Sequence, residues 1–305
     1  MGILPRSLHL LAVEQVNHPI KGDVITFGQQ KVYAPLEDVR RIFAQHSVQL
    51  HDLPADFDAS TKIPGDDPSH TNAHAVLKML GADNVYVADV SDYENPDFVL
   101  DLNEPVGAKY ENRFDVIFDI GTLEHVFDVP TALESIVRML KPGGCVILGY
   151  PVSNFIDHGF YSFSPTLLFD FFAANGFGDF SCYFTEGSCH NLYLKSKVYK
   201  YIGVEGQFPL ISPHPVDMLF WARLGEKPAK ITKPMQSLFV QCWKKSQERR
   251  SGQIAPRWSS GLKSLIRCAV ELIPARIRPE IIDSTLFGRG TRFNKRDNLR
   301  YIGKF

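Results

Sequence analysis

FDVIFDIGTLEHVFDVPTALESIVRMLKPGGCVILGYP, residues 114–151, decides the fold of this chain. The apolar run FDVIFDI, closed by Gly121, reads as a strand buried on both faces. The following stretch, TLEHVFDVPTALESIVRMLKPGG, contains a helix stopped by Pro142 and its two glycines, and CVILGYPVS is the next strand. A strand, a helix and a second strand in this order make a crossover unit, and such units build parallel sheets.

The pattern continues outward in both directions. Upstream, GDVITFGQQKVYAPLEDV (22–39) holds a strand at Val24 to Phe27, a turn at Gly28 and a helix that opens near Pro35. That helix, PLEDVRRIFAQH, carries proline in its first turn. A polar loop rich in Asp and Pro leads to a helix AHAVLKML ended by Gly81, a strand NVYVAD ending at Asp89, and the short apolar FVLDLNEPV. Downstream, SPTLLFDFFAANGF is a helix with Ser164 as its N-cap and Gly176 as its stop. FGDFSCYFTEG and VDMLFWARLG read as later strands, and the Tyr-, Pro- and Gly-rich stretch between them as an insertion over one end of the sheet. Beyond Pro228 the pattern is helical: KPMQSLFVQCWKKSQERR, then SSGLKSLIRCAVELIPARI. The expectation is an α/β chain: a Rossmann-like, doubly wound, mostly parallel sheet with a helical C-terminal extension. Its parts are an N-terminal segment (1–20), the α/β domain (21–225, with the insertion at about 187–215) and a basic extension (226–305).

Composition excludes some functions. With 305 residues, 44% hydrophobic, 22% charged and a formal net charge of -1, nothing in the whole-chain balance draws it to nucleic acid. From Lys244 to Phe305, however, basic residues outnumber acidic ones about three to one. This tail is the candidate contact for an anionic surface or lipid headgroup. Five cysteines without regular spacing read as reduced thiols. The start, MGILPRSLHLLAVEQV, lacks the basic, apolar and small-residue order of a secretion signal. The expected location is therefore cytoplasmic, with peripheral membrane association through the tail as a variant. His70 and His74 have helical metal-pair spacing but no third ligand, and Cys182 and Cys189 are too far apart for a zinc knuckle, so no metal is expected.

In an open parallel sheet, ligands sit beyond the carboxyl ends of the strands, where strand order reverses. Four segments meet there. Gly28 with Gln29 lets backbone approach a ligand and offers amide groups. Asp89 with Val90 stands where an acid accepts hydrogen bonds from ribose hydroxyls. Asp101 and Leu102 present a carboxylate and apolar surface to an adenine. Asp119, Ile120, Gly121 and Thr122 lead into the turn that holds Glu124 and His125. The run NFIDHGFYSFSP adds a proton acceptor in His158, with Asp157 able to pair with it and Tyr161 able to orient an acceptor.

The LEHV and LKPGG pair, at this spacing around a helix, resembles the fourth-strand region of class I S-adenosylmethionine-dependent methyltransferases, and the likeness extends over roughly residues 21–225. VITFGQQ, DLN and HGFYSFSPT resemble segments of a bacterial subgroup of such proteins. The resemblance implies S-adenosylmethionine as cofactor and S-adenosylhomocysteine as product. It places Gly28 at the methionine end, Asp89 with its neighbour Val90 at the ribose, Asp101 and Leu102 at the adenine, and Asp119 to Thr122 with His125 beside the methionine part. The family's GxGxG loop is absent, and Gly28 alone carries over. The function expected is methyl transfer, with oxygen favoured over nitrogen, to a small molecule or sugar in glycan or natural-product synthesis. His158 is the base, assisted by Tyr161 and Asp157. A non-catalytic binding module that keeps the fold is the alternative.

Overall fold

The structure is a computed structural model and describes residues 2–61, 63, 65–187, 196–202, 212–250 and 299–304. The chain divides into two compact units, one of Met1–Tyr201, Pro213–Lys233 and Tyr301–Phe305, the other of Ile202–Ser212 and Pro234–Arg300. In chain order the first unit runs α1 (Pro5–Glu14), β1 (Gly22–Phe27), β2 (Lys31–Val32), α2 (Leu36–Gln45), β3 (Thr71–Asn72), α3 (Ala73–Leu80), β4 (Ala82–Asp89) and β5 (Phe98–Val99). It continues through β6 (Phe114–Ile120), α4 (Val129–Met139), β7 (Leu140–Ser153), α5 (Pro165–Ala174), β8 (Phe177–Glu186), β9 (Lys197–Tyr201) and β10 (Val216–Leu224). The described helix of the second unit is α6 (Ser237–Arg250). The helix read from SSGLKSLIRCAVELIPARI and most of the basic tail lie outside the described residues.

The strands form one sheet in the order β9-β8-β10-β7-β6-β1-β4-β5, extended at the β9 edge by β11 (Leu299–Lys304). From β5 to β7 all neighbours are parallel. β10 is antiparallel to both β7 and β8, so β8 again runs with the parallel set. The chain moves from β1 outward to β4 and β5, returns to β6, and then moves the other way to β7. Right-handed crossovers on the two sides of that reversal put their helices on opposite faces. The packing agrees: α1, α2 and α3 share one core with Val24, Val116, Phe118, Ile147 and Trp221. On the other face, Phe172 of α5 stacks on Phe220 of β10 at 5.7 Å.

Local chemistry explains most boundaries. Asn72 caps α3 by accepting from the Ala75 amide at 2.7 Å, and Gly81 ends it with φ 118°. Asp128 caps α4 from the Thr131 amide at 3.1 Å, and Ser164 caps α5 from the Thr166 amide at 3.3 Å. The expected stop of α4 at Pro142 falls earlier, at Met139. Leu140 already pairs with Phe114, while Cys145 pairs with Val116, so Lys141–Gly144 bulges out of β7 instead of closing the helix. The Lys141 ammonium holds the bulge to Asp115 at 2.7 Å. The stretch expected to cover one end of the sheet includes β9, a strand of the sheet that lies between β11 and β8.

The N-terminal segment, residues 1–20, contains a helix that is part of the core. Leu8, Leu10 and Leu11 of α1 are buried, and so are Arg6 and Glu14. Arg6 donates to Asp217 of β10 at 2.5 Å and to Thr185 of β8 at 3.1 Å. Burial alone would raise the Glu14 carboxyl, but hydrogen bonds from His18 and Tyr183 outweigh it and bring its pKa down to about 2. Removing one partner of a buried ion pair leaves a charge without compensation. Arg6→Ala should therefore cost about 3–5 kcal/mol in urea unfolding. Arg6→Met combined with Asp217→Leu should recover most of that loss, and a loss below about 1 kcal/mol for Arg6→Ala would show that the pair does not anchor α1.

Candidate functional site at the strand carboxyl ends

Strand order reverses between β1 and β6, and the loops after β1, β4 and β6 converge there. Gly28 leaves β1 with φ +73°, a left-handed conformation that disfavours any residue with a side chain. A Cβ placed on it would stand 3.7 Å from Asp89 Oδ2, 3.8 Å from Thr122 Oγ1 and 4.0 Å from Gln30 Nε2. Three segments distant in sequence thus face one small polar cradle. The Gly28 amide donates to the Ala88 carbonyl at 2.7 Å, and Thr122 Oγ1 donates to the Phe27 carbonyl at 2.8 Å. These bonds tie the end of β1 to the ends of β4 and β6.

The glutamines do not present free amides to this cradle. Gln29 Nε2 donates to the Glu94 carbonyl at 3.2 Å, and Gln30 Nε2 to the Phe27 carbonyl at 2.5 Å. Both amides brace the loop. Asp89, half-buried, uses Oδ1 to accept from the Ser91 amide at 3.1 Å and keeps Oδ2 towards Gly28. Val90 beside it is exposed. Asp101 accepts from Asn103 at 2.8 and 2.9 Å, and Leu102 is buried next to it. Asn103 Oδ1 accepts in turn from the Asp128 amide at 2.9 Å, which joins the loop after β5 to the start of α4.

Behind the loop after β6 lie two buried carboxyls. Asp119 accepts from the Tyr150 hydroxyl at 2.8 Å and from the Leu123 amide at 3.2 Å, while Oδ1 has no partner. Burial pushes its pKa up to about 6, against the bonds from Tyr150 and Leu123. Ile120 is buried, and Gly121 turns the chain with φ 99°. Glu124 is fully buried and neither of its oxygens has a hydrogen-bond partner. Burial first, then the Asp119 charge, pushes it up to about 8.

Two histidines face Glu124. His158 Nε2 lies 3.6 Å and His125 Nε2 3.9 Å from Glu124 Oε1, and the two rings are 5.2 Å apart. Burial lowers the pKa of both imidazoles, which favours their neutral forms. The loop after β7 holds His158 there. Phe160 and Tyr161 amides both donate to the Glu124 carbonyl, at 2.8 and 3.2 Å. A Cβ on Gly159 would come within 2.8 Å of that carbonyl and 3.2 Å of His125 Nδ1, so only glycine allows the approach. Asp157, the expected partner of His158, is exposed with φ 61°, and the carboxylate beside His158 is that of Glu124. The Tyr161 hydroxyl donates to the Phe127 carbonyl at 2.8 Å. His70 precedes α3 and sits 3.5 Å from Asp66, while His74 packs on Phe57, so these two do not share a helix.

Sequence reasoning passed over Glu124 as a functional group, together with Gly159 and Tyr150. The only signal was a glutamate next to a histidine just after a buried strand. Its loss of partners becomes visible once the β7 loop folds over it.

Residues 71–148 match the family described as methyltransferase domain. No curated protein is significantly similar in sequence. Among solved structures the chain is similar to a SAM-dependent methyltransferase, possible histamine N-methyltransferase, from Thermotoga maritima, at 18% identity over 72% of this chain and 90% of that one, TM-score 0.37. It is similar too to N-methyltransferase NodS from Bradyrhizobium japonicum WM9, at 12% identity over 72% and 96%, TM-score 0.35. A third is 1,6-didemethyltoxoflavin-N1-methyltransferase from Burkholderia thailandensis, solved with that compound and S-adenosylhomocysteine, at 14% identity over 73% and 78%, TM-score 0.34.

The Tyr150 bond stabilises the ionised form of Asp119. Because the folded pKa of Asp119 lies above its ordinary 3.8, the fold favours the protonated carboxyl, and stability falls as pH rises from about 4 to about 6. Tyr150→Phe should cost roughly 1–3 kcal/mol where Asp119 is charged. Denaturant unfolding should show a larger loss at about pH 8 than at about pH 5. Equal losses at the two pH values would mean that Asp119 does not change its protonation between them.

Proposed function

We propose that this chain, whose residues 71–148 match the methyltransferase domain family, moves a methyl group from S-adenosylmethionine to an oxygen of a small molecule or sugar. The observation that carries the reading is the cradle at Gly28, where Asp89 Oδ2 and Thr122 Oγ1 lie within 4 Å of the position a side chain would fill. The residues present suit the cofactor. Gly28 leaves room for its methionine end. Asp89 has a free carboxylate oxygen for ribose hydroxyls. Leu102 and Asp101 offer an apolar surface and an acceptor to an adenine, and the Asp119–Thr122 turn with His125 closes the remaining side.

The cofactor supplies a methyl group already activated on a sulfonium, so the protein has little covalent chemistry to perform. Its tasks are to hold the acceptor oxygen in line at about 3 to 3.5 Å, keep water out and receive the hydroxyl proton. We assign the last to His158 Nε2. Burial keeps its imidazole in the neutral form that can receive a proton, and the Glu124 carboxyl lies 3.6 Å away. Exposed Phe127 and Phe160, with rings 5.7 Å apart and perpendicular, offer an apolar wall for an acceptor of limited size.

Calorimetric titration with S-adenosylmethionine and S-adenosylhomocysteine tests the reading. The expected result is binding, weakened in Asp89→Ala by the roughly 1.5–3 kcal/mol of a hydrogen bond to a charged group, or about tenfold to a hundredfold. Unchanged affinity in Asp89→Ala would sink the ribose assignment. A folded protein that binds neither compound would leave the non-catalytic module as the better reading.

A further inference from the structure

We propose that Glu124, His125 and His158 form a binding site for a single divalent transition-metal ion of the zinc class. One carboxylate oxygen and one nitrogen from each ring lie within 4.8 Å of one another. A carboxyl with no exposure and no partner on either oxygen is costly, and His158 Nε2, buried beside it, has no partner either. A cation between them would satisfy one Glu124 oxygen and His158 Nε2 at once.

The dimensions fit with small adjustment. Zinc binds His nitrogen and carboxylate oxygen at about 2.0–2.2 Å, which places neighbouring ligand atoms about 3.4 Å apart around a tetrahedral ion. The observed separations from Glu124 Oε1 are 3.6 Å to His158 and 3.9 Å to His125. Rotation of the two imidazoles by a few tenths of an ångström closes the difference for the first pair, and His125, the more exposed of the two, moves further. Two imidazoles and one carboxylate suit zinc and its neighbours better than magnesium or calcium, which take oxygen ligands. The backbone supports the set: Glu124 and His125 share one 3-10 turn, and the bonds from Phe160 and Tyr161 to the Glu124 carbonyl fix His158 opposite them.

Three protein ligands leave a position open on a tetrahedral ion. On the methyl-transfer reading above, an acceptor oxygen is the group that would take it. An Nε2 that ligates a metal does not also receive a proton, so in the loaded protein His158 is a ligand. It acts as proton acceptor only where the metal is absent.

The test is calorimetric titration of the full chain, stripped with chelator, with zinc chloride and then manganese chloride. One equivalent of zinc should bind. His125→Ala and His158→Ala should each weaken it at least about tenfold, while His9→Ala, which alters a separate histidine pair, should not. His125 lies at the surface, so its variant keeps the test open if Glu124→Gln or His158→Ala fails to fold. No zinc binding, binding unaffected by both trio variants, or binding lost in His9→Ala would overturn the site. Titrating S-adenosylhomocysteine into the same samples separates the two claims. Cofactor binding without zinc overturns the metal site alone, and zinc binding without cofactor overturns only the methyl-transfer reading.

Discussion

The carbonyl of Phe27 holds the site together. It accepts from Thr122 Oγ1 and from Gln30 Nε2, and so fixes the end of β1 to the end of β6 at the place where strand order reverses. Everything placed near the cradle depends on that alignment. Gly28 follows directly and turns with positive φ, and Asp89 is brought opposite by the parallel pairing of Phe27 with Ala88. Without the tie, the loops after β1 and β6 would be separate surface turns, and the crevice that open parallel sheets form at such a reversal would have no floor.

A second constraint sits at the other edge. β8 and β10 carry buried Thr185 and Asp217, and α1 brings Arg6 to meet them. Glu14 of the same helix is held by His18, Tyr183 and Lys200. These pairs orient α1 more than they stabilise it, because the cost of desolvating charges offsets most of their attraction. The apolar face of α1 supplies the burial, with Leu8 and Leu10 fully enclosed.

Much of this was legible in the chain. Every central strand from Val24 to Leu224 stands where apolar runs bounded by glycine or proline placed it, because strands buried on both faces need such runs. The capping residue Ser164 and the terminator Gly81 marked their helices as well. What could not be read was long-range. LHLLAVE in α1 is too short to look like a structural helix, and its role rests on Arg6 reaching a residue more than two hundred positions away. LKPGG looked like a helix stop, and the Lys141 to Asp115 bond makes it a strand bulge. Among site residues, Gly28, Asp89 and Thr122 are brought together. Glu124 was hidden, since a lost hydrogen-bond partner is a property of packing and leaves no mark in composition.

The missing glycines after Gly28 can be understood through the residues that replace them. A loop with several glycines lets backbone approach a ligand at several points, whereas a loop with one glycine permits it at one. Gln29 and Gln30 use their amides to hold the Glu94 and Phe27 carbonyls, so the loop gains rigidity where flexible backbone would otherwise stand. A rigid loop with a single open position shifts recognition onto the neighbours, and these are Asp89 and Thr122. By the same reasoning the neighbouring loop is fixed by Gly159, whose bare Cα lets the β7 loop close onto Glu124 and His125. The two glycines thus shape the site from opposite loops: Gly28 leaves an open position beside Asp89 and Thr122, and Gly159 assembles the carboxyl and the two imidazoles.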